Sequence, residues 1–212
     1  MSKDKPRIRE LKDIREETPT VKTFTVFDPH GAQAIPGQFI MVWVPGSGEI
    51  PLAVSGVKGD RIEFTVKKRG KTTTRLHELP VEEKIGIRGP YGNGFSEPEG
   101  ENLLVGGGYG IAPLRYLYRS FSNLASLTVL EGASTGDELL FTEEIQPETV
   151  TTEDGTRGYS GKVTEPMTKL LGGESFDKVY AAGPERMLCR VFDLCREDNL
   201  YLEASLERMM KC

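Results

Sequence analysis

The sequence predicts two domains in tandem: a small antiparallel β-barrel, then an α/β domain built on a parallel sheet. Three observations carry this expectation. Short runs rich in Val, Ile, Thr and Phe fill the first half and are separated by turn residues. From about residue 102, continuous apolar runs alternate with segments of helical spacing, as in a sheet covered on both faces. Glycine-rich turns stand directly after apolar runs in that second half.

Taken in order, residues 7 to about 98 carry the strand-like runs "TVKTFTVFD" (20–28), "GQFIMVWVPG" (37–46), "IPLAVSGV" (50–57) and "RIEFTVKK" (61–68). The stretches "DPHG", "PGSG" and "KGD" between them are turn chemistry, and strands at this spacing suggest a barrel. Helical character in this half is confined to "TTTRLHEL" (72–79). The polar stretch "SEPEGEN" (96–102) marks the boundary, giving domains 1–98 and 99–212. Beyond it come strand "NLLVGG", helix "IAPLRYLYRSF", strand "SLTVLEG", strand "PETVTTED", helix "VTEPMTKLLG", strand "KVYAAG", helix "PERMLCRVFDLCRED" and strand "NLYLEAS".

Bulk properties exclude several classes. A length of 212 residues has room for a hydrophobic core in each half, and 37% hydrophobic with 28% charged residues is a globular balance. A net charge of −5 argues against nucleic acid, whose phosphates call for a basic face. No apolar run approaches the roughly 18–20 residues that span a bilayer, so no membrane partner is expected. The charged start "MSKDKPRIRELKD" is no signal peptide, and three cysteines fit a reducing compartment, so a cytoplasmic location is expected.

Five stretches carry candidate chemistry. In "VGGGYGIAPL" (105–114) the glycines let backbone N–H groups approach a ligand, and the following helix start favours a diphosphate. It reads equally as a tight strand-to-helix turn, and it is not the G-x-G-x-x-G fingerprint. "AAGPERML" (181–188) makes a second strand-to-helix turn, with Pro184 suited to a first helical turn. Both would lie at carboxyl ends of parallel strands, where ligands bind. At a third such end, "TTEDGTRGYSG" (151–161), Glu153 and Asp154 suit ribose hydroxyls and repel an added 2′-phosphate, which favours NAD(H) over NADP(H); a solvated acidic loop is the alternative. In the barrel half, Thr72, Thr73 and Thr74 open a short helix beside Lys68, Arg69, Lys71 and Arg75, suited to phosphate or to a capped surface helix. "RGPYGNGF" (88–95) is a glycine-rich close-approach loop or a crossover between domains.

In this order the pieces "GPYGNGF", "GGGYGIAPL", "TEDGTRGYSGKVT", "AAGPERM" and "SLERMMKC" resemble the ferredoxin reductase superfamily. More narrowly they resemble the electron-transfer subunits of two-subunit, NAD-dependent dihydroorotate dehydrogenases of pyrimidine biosynthesis. The resemblance covers nearly the whole chain. It implies a Greek-key barrel holding FAD and an α/β domain holding NAD(H). Hydride would pass from NADH to the flavin, with no protein acid or base in the step, and so no catalytic side chain. The family's Arg-Pro-x-Ser flavin motif falls on "IPLAVS": Pro51 is retained, while Ile50 and Ala53 replace Arg and Ser. Backbone groups of Leu52 and Val54 and the hydroxyl of Ser55 are the expected substitutes. Gly70, Thr72 and Thr73 fall where the family cradles the flavin diphosphate, with Lys68 or Arg69 for charge. Gly107, Gly108, Gly110 and Pro113 match the nicotinamide-dinucleotide turn. Ala182, Gly183 and Pro184 match a stretch in which the family carries cysteine at the alanine.

The resemblance further implies a [2Fe-2S] cluster and a hetero-oligomer with an FMN-containing catalytic subunit. Such a cluster needs four thiolates, and this chain has Cys189, Cys195 and Cys212. The first two sit on a predicted helix and read as core or semi-buried residues. Cys212 is the expected ligand, the first of a cluster loop continuing past these residues. Two other functions stay open at this stage: a stand-alone ferredoxin, flavodoxin or hydrogenase-associated reductase, and a nucleotide-sensing subunit without electron transfer.

Overall fold

The computed structural model describes residues 5–206, which divide into two compact units between Gly94 and Phe95. In the first, six strands close into a barrel: β1 (Arg7–Thr18), β2 (Val21–Phe27), β3 (Phe39–Val44), β4 (Gly48–Lys58), β5 (Arg61–Lys67) and β6 (Lys84–Tyr91). Their order around the barrel is β1-β2-β5-β4-β3-β6, and all neighbours are antiparallel. Alternation sends Phe24 and Val26 of β2, Ile40, Val42 and Val44 of β3, and Ile62 and Phe64 of β5 into the interior, where each is fully buried. Burial of side chains this size contributes about 1.5–3 kcal/mol each. Phe24 and Phe64 stack with ring centroids 5.7 Å apart.

Helix α1 (Lys71–His77) lies against this core through Leu76 and His77. The His77 ring meets Phe24 edge-on at 5.8 Å, and its Nε2 lies 2.9 Å from the Val66 carbonyl. Burial is the largest influence on this imidazole and lowers its pKa. A charged knot ties β1 to the turn after β2. Arg7 donates twice to the Asp28 carboxylate, at 2.8 and 3.0 Å, and once to the Gly89 carbonyl at 3.0 Å; Arg9 adds a further pair to Asp28. Asp28 is fully buried, so these cations are what make its charge tolerable there.

The second unit is a six-stranded parallel sheet: β7 (Glu101–Gly107), β8 (Ser126–Ala133), β9 (Thr149–Thr152), β10 (Tyr159–Ser160), β11 (Lys178–Ala182) and β12 (Tyr201–Ser205). The order β10-β9-β8-β7-β11-β12 places the reversal of winding between β7 and β11. Helices α2 (Ile111–Phe121), α3 (Thr142–Ile145), α4 (Thr164–Leu171) and α5 (Glu185–Glu197) complete it. Leu103, Val105, Leu130, Val179 and Ala181 pack with Met167 of α4, with Val163 at its N-cap, and with Leu188, Val191 and Leu194 of α5. Cys195 joins this core as expected, whereas Cys189 is exposed. No helix among the described residues is long and apolar enough to cross a membrane.

Candidate functional site

The two glycine turns of the second unit meet at the winding reversal. Gly107 ends β7 and Gly183 follows β11, and these strands are neighbours, pairing from Lys178↔Asn102 to Ala182↔Gly106. A Cβ on Gly110 would lie 2.6 Å from both N and Cα of Gly183. One on Gly107 would lie 2.5 Å from Met187 Sδ and 3.0 Å from Pro184 Cδ. The turns therefore touch backbone to backbone, and no side chain fits between them. Gly108 is different: its φ of +54° is the left-handed conformation glycine favours, and a Cβ there would meet nothing within 4 Å. An open, side-chain-free main chain at the start of α2 suits a diphosphate. Pro113 is buried in the first turn of α2, and Pro184 stands just before α5 as its N-cap, one position earlier than a first-turn proline.

The loop after β9 is built from its own polar groups. Asp154 Oδ1 accepts from Thr156 N at 3.0 Å and Thr156 Oγ1 at 2.7 Å, and these bonds hold its carboxyl below the usual carboxylate range. Thr156 Oγ1 in turn accepts from Gly136 N at 2.8 Å, which joins this loop to the one after β8. Asp154 and Glu153 are both exposed, and the cation Arg157 shares their loop.

In the barrel unit, a depression of about 330 Å³ is lined by Gly46, Ser47, Lys71, Thr74, Arg75 and Glu78. A Cβ on Gly46 or Gly70 would meet nothing within 4 Å, so the main chain is open there. Both threonine hydroxyls expected at the phosphate also bond within the protein. Thr73 Oγ1 accepts from Arg69 N and Gly70 N, both at 2.9 Å, and donates to Gly70 O at 3.0 Å. Thr72 Oγ1 accepts from Ser47 Oγ at 3.1 Å. These bonds shape the turn; Lys68, Arg69 and Lys71 stand exposed beside it, and Arg75 pairs with Glu78 at 3.5 Å.

On β4, Pro51 is exposed and Leu52 and Ala53 are half-buried, while Val54 and Ser55 are both fully buried. The Ser55 hydroxyl accepts from Thr65 Oγ1 at 3.0 Å inside the barrel, so it does not take the substitute role expected of it. A bulge explains the error. Pairing with β5 slips between Val54 and Gly56, which sends two consecutive side chains to the same side.

Sequence reading missed Glu131. It sits on β8 inside an apolar run, fully buried, with Oε1 accepting from Leu140 N at 2.7 Å. Its Oε2 is buried with no hydrogen-bond partner, and burial raises the carboxyl to about 7. A lone acid in "SLTVLEG" was the available signal. Cys212 lies outside the described residues, and among those residues no group of three or more His, Cys, Asp or Glu is placed to hold a metal.

A closed antiparallel barrel followed by a parallel sheet with open glycine turns at its winding reversal defines a ferredoxin-reductase-like flavin and nicotinamide nucleotide oxidoreductase. No protein-family model matches the chain. Among curated proteins it is similar to the probable dihydroorotate dehydrogenase B (NAD(+)), electron transfer subunit, of Methanocaldococcus jannaschii: 40% identical over 214 aligned positions, spanning 99% of this chain and 80% of the relative. The protein of the same description from Thermoplasma acidophilum is 39% identical, spanning 94% and 77%. The chain belongs to the family of dihydroorotate dehydrogenase B electron transfer subunits. Among solved structures, an NADH-dependent reduced ferredoxin-NADP oxidoreductase, studied for flavin-based electron bifurcation, superposes with a TM-score of 0.87 at 32% identity, over 98% of this chain and 79% of that one. A Neisseria gonorrhoeae ferredoxin NADP+ reductase with bound FAD and NADP shares the fold, with a TM-score of 0.77 at 17% identity over 95% and 99%.

Proposed function

We propose that this chain is the electron-transfer flavoprotein subunit of a two-subunit dihydroorotate dehydrogenase, moving electrons between NAD(H) and an FMN-containing catalytic subunit through FAD. The observation that carries the NAD(H) side is the contact of the 107–110 and 183–184 turns at the winding reversal, with Gly108 open beside them. Gly107, Gly108 and Gly110 would hold the dinucleotide diphosphate, Gly183 and Pro184 would border the nicotinamide, and Asp154 would meet a ribose. On the FAD side, the open main chain at Gly70 and the cations Lys71 and Arg75 fit a diphosphate, with Pro51, Leu52 and the main chain of Ala53 along the flavin. When bound, FAD supplies the exchange between two-electron and one-electron transfer. The protein's own part is to bind and orient the two nucleotides.

The proposal includes a hetero-oligomer, a cytoplasmic location supported by the free thiols of Cys189 and Cys195, and a [2Fe-2S] cluster with Cys212 as a ligand. The described residues supply no ligand set for such a cluster, so no step is assigned to it. Iron and acid-labile sulfide analysis of anaerobically purified protein decides its presence.

The main test is direct. Purified protein should be yellow, should bleach anaerobically with NADH, and should co-purify with an FMN protein that interconverts dihydroorotate and orotate. A colourless protein that takes up no FAD would reject the reading. A stand-alone ferredoxin reductase is the second reading, favoured by the likeness to the NADH-dependent ferredoxin-NADP oxidoreductase. Rapid ferredoxin reduction without any orotate-handling partner would select it.

A further inference from the structure

We infer that Glu131 is a positioning residue for NAD(H): its buried carboxyl fastens the excursion between β8 and β9 to the sheet, and that excursion sets the loop carrying Asp154. The inference rests on the NAD(H) reading above. Neighbouring Leu130 faces α4 and α5, so alternation turns Glu131 to the opposite face. There the excursion from Ser134 to Glu148 covers it, burying Leu140 and Ile145. The excursion is held in a demanding shape, because Phe141 (φ 61°) and Gln146 (φ 42°) are both left-handed without being glycine. Glu131 Oε1, accepting from Leu140 N, anchors it from below.

From this anchor a chain of bonds runs to the nucleotide loop. Gly136 N donates to Thr156 Oγ1 at 2.8 Å, and Thr156 donates to Asp154 Oδ1 from both its hydroxyl and its N–H. Arg157 Nη2 reaches Thr142 Oγ1 at 3.5 Å. Asp154 therefore points where the excursion lets it point.

The elements around this face carry Arg115, Tyr116 and Arg119 on α2, the carboxylates Asp137, Glu138, Glu143, Glu144 and Glu148 on the excursion, and Arg157 on the following loop. Arg115 donates to both Glu144 oxygens at 2.9 and 3.0 Å and lies 4.3 Å from the Phe141 ring centre, and Arg119 pairs with the same carboxylate. The hydrogen bond from Leu140 N and the charge of Arg157 both favour the ionised form of Glu131, but burial outweighs them. A neutral carboxyl suits this site. An ionised one calls either for water beneath Leu140 or for Arg157 to leave Thr142, and both loosen the excursion. NADH should therefore bind less tightly as pH rises through about 7.

The test is anaerobic stopped-flow reduction of the full, FAD-loaded chain over a range of NADH concentrations, at about pH 6 and about pH 8.5. In the unaltered protein the apparent Kd for NADH should rise about fivefold or more with little change in the limiting rate, whereas Glu131→Gln should stay nearly flat. Hydrogen exchange at the Glu138 and Ile145 amides, which bond within the excursion, should lose protection over the same range in the unaltered protein alone, after correction for intrinsic chemistry. Parallel Kd profiles in the two proteins, or unchanged protection at Glu138 and Ile145, would overturn the inference. If NADH reduced the flavin at neither pH, the NAD(H) reading would fail instead, and the exchange data would still decide whether Glu131 anchors the excursion.

Discussion

Single residues set the sharpest limits on this protein. Glu131 has a carboxyl raised to about 7 from a usual 4.5. The stability linked to its neutral form is complete below about pH 4.5 and is lost as pH rises through about 7. Glu131→Gln should thus match the parent in acid and exceed it at pH 8 by up to about 3 kcal/mol, read by chemical denaturation at both pH values. His77 runs the other way. Its lowered pKa means that stability is full above about 6.5 and falls as pH drops below that value, so His77→Gln should flatten the acid limb of the same curve. Neither behaviour was legible in the sequence. A lone acid in an apolar strand and a histidine near a helix end look alike whether buried or solvated, and pairing across the fold decides which. The Ser55 error is of this kind too, since a bulge leaves no mark in a run of strand-forming residues.

At the scale of elements, the turns are the working parts. Gly110→Ala would drive a methyl to 2.6 Å from the Gly183 main chain, and neither side has a flexible end that can yield. We expect a cost of about 1–3 kcal/mol and at least a tenfold weaker NADH Kd, with an unchanged flavin spectrum. Thr73→Val removes three hydrogen bonds from the turn before α1 and should cost about 1 kcal/mol and weaken FAD retention on dialysis, while Thr73→Ser should preserve both. Elements with apolar spacing or unbroken apolar runs were readable in advance, among them α2, α4, α5, β7 and β11, but the longest strand, β1, was not, because its run "RIRELKDIREET" is mostly charged. Strand β6 was not, because "RGPYG" carries the residues of a turn, yet the strand continues through Gly89 and Pro90 to pair Tyr91 with Phe39. The two-residue β10 and the single-turn α3 are too short for any period to appear.

For the molecule as a whole, the two cores should answer to different ligands. Trp43 is the single tryptophan and lies in the barrel unit, so its fluorescence reports on that unit. Excess FAD at about 100 times its Kd should raise the stability of the Trp43-monitored transition by about 2.7 kcal/mol. A transition that shifted with NADH and ignored FAD would reverse the assignment of the two sites. Closure has one more effect. A barrel whose six strands are all paired offers no free main-chain edge, whereas the open sheet ends at β10 and β12, each paired on one side only among the described residues. Recruitment by strand addition is therefore a route open to the nucleotide-binding sheet and closed to the barrel.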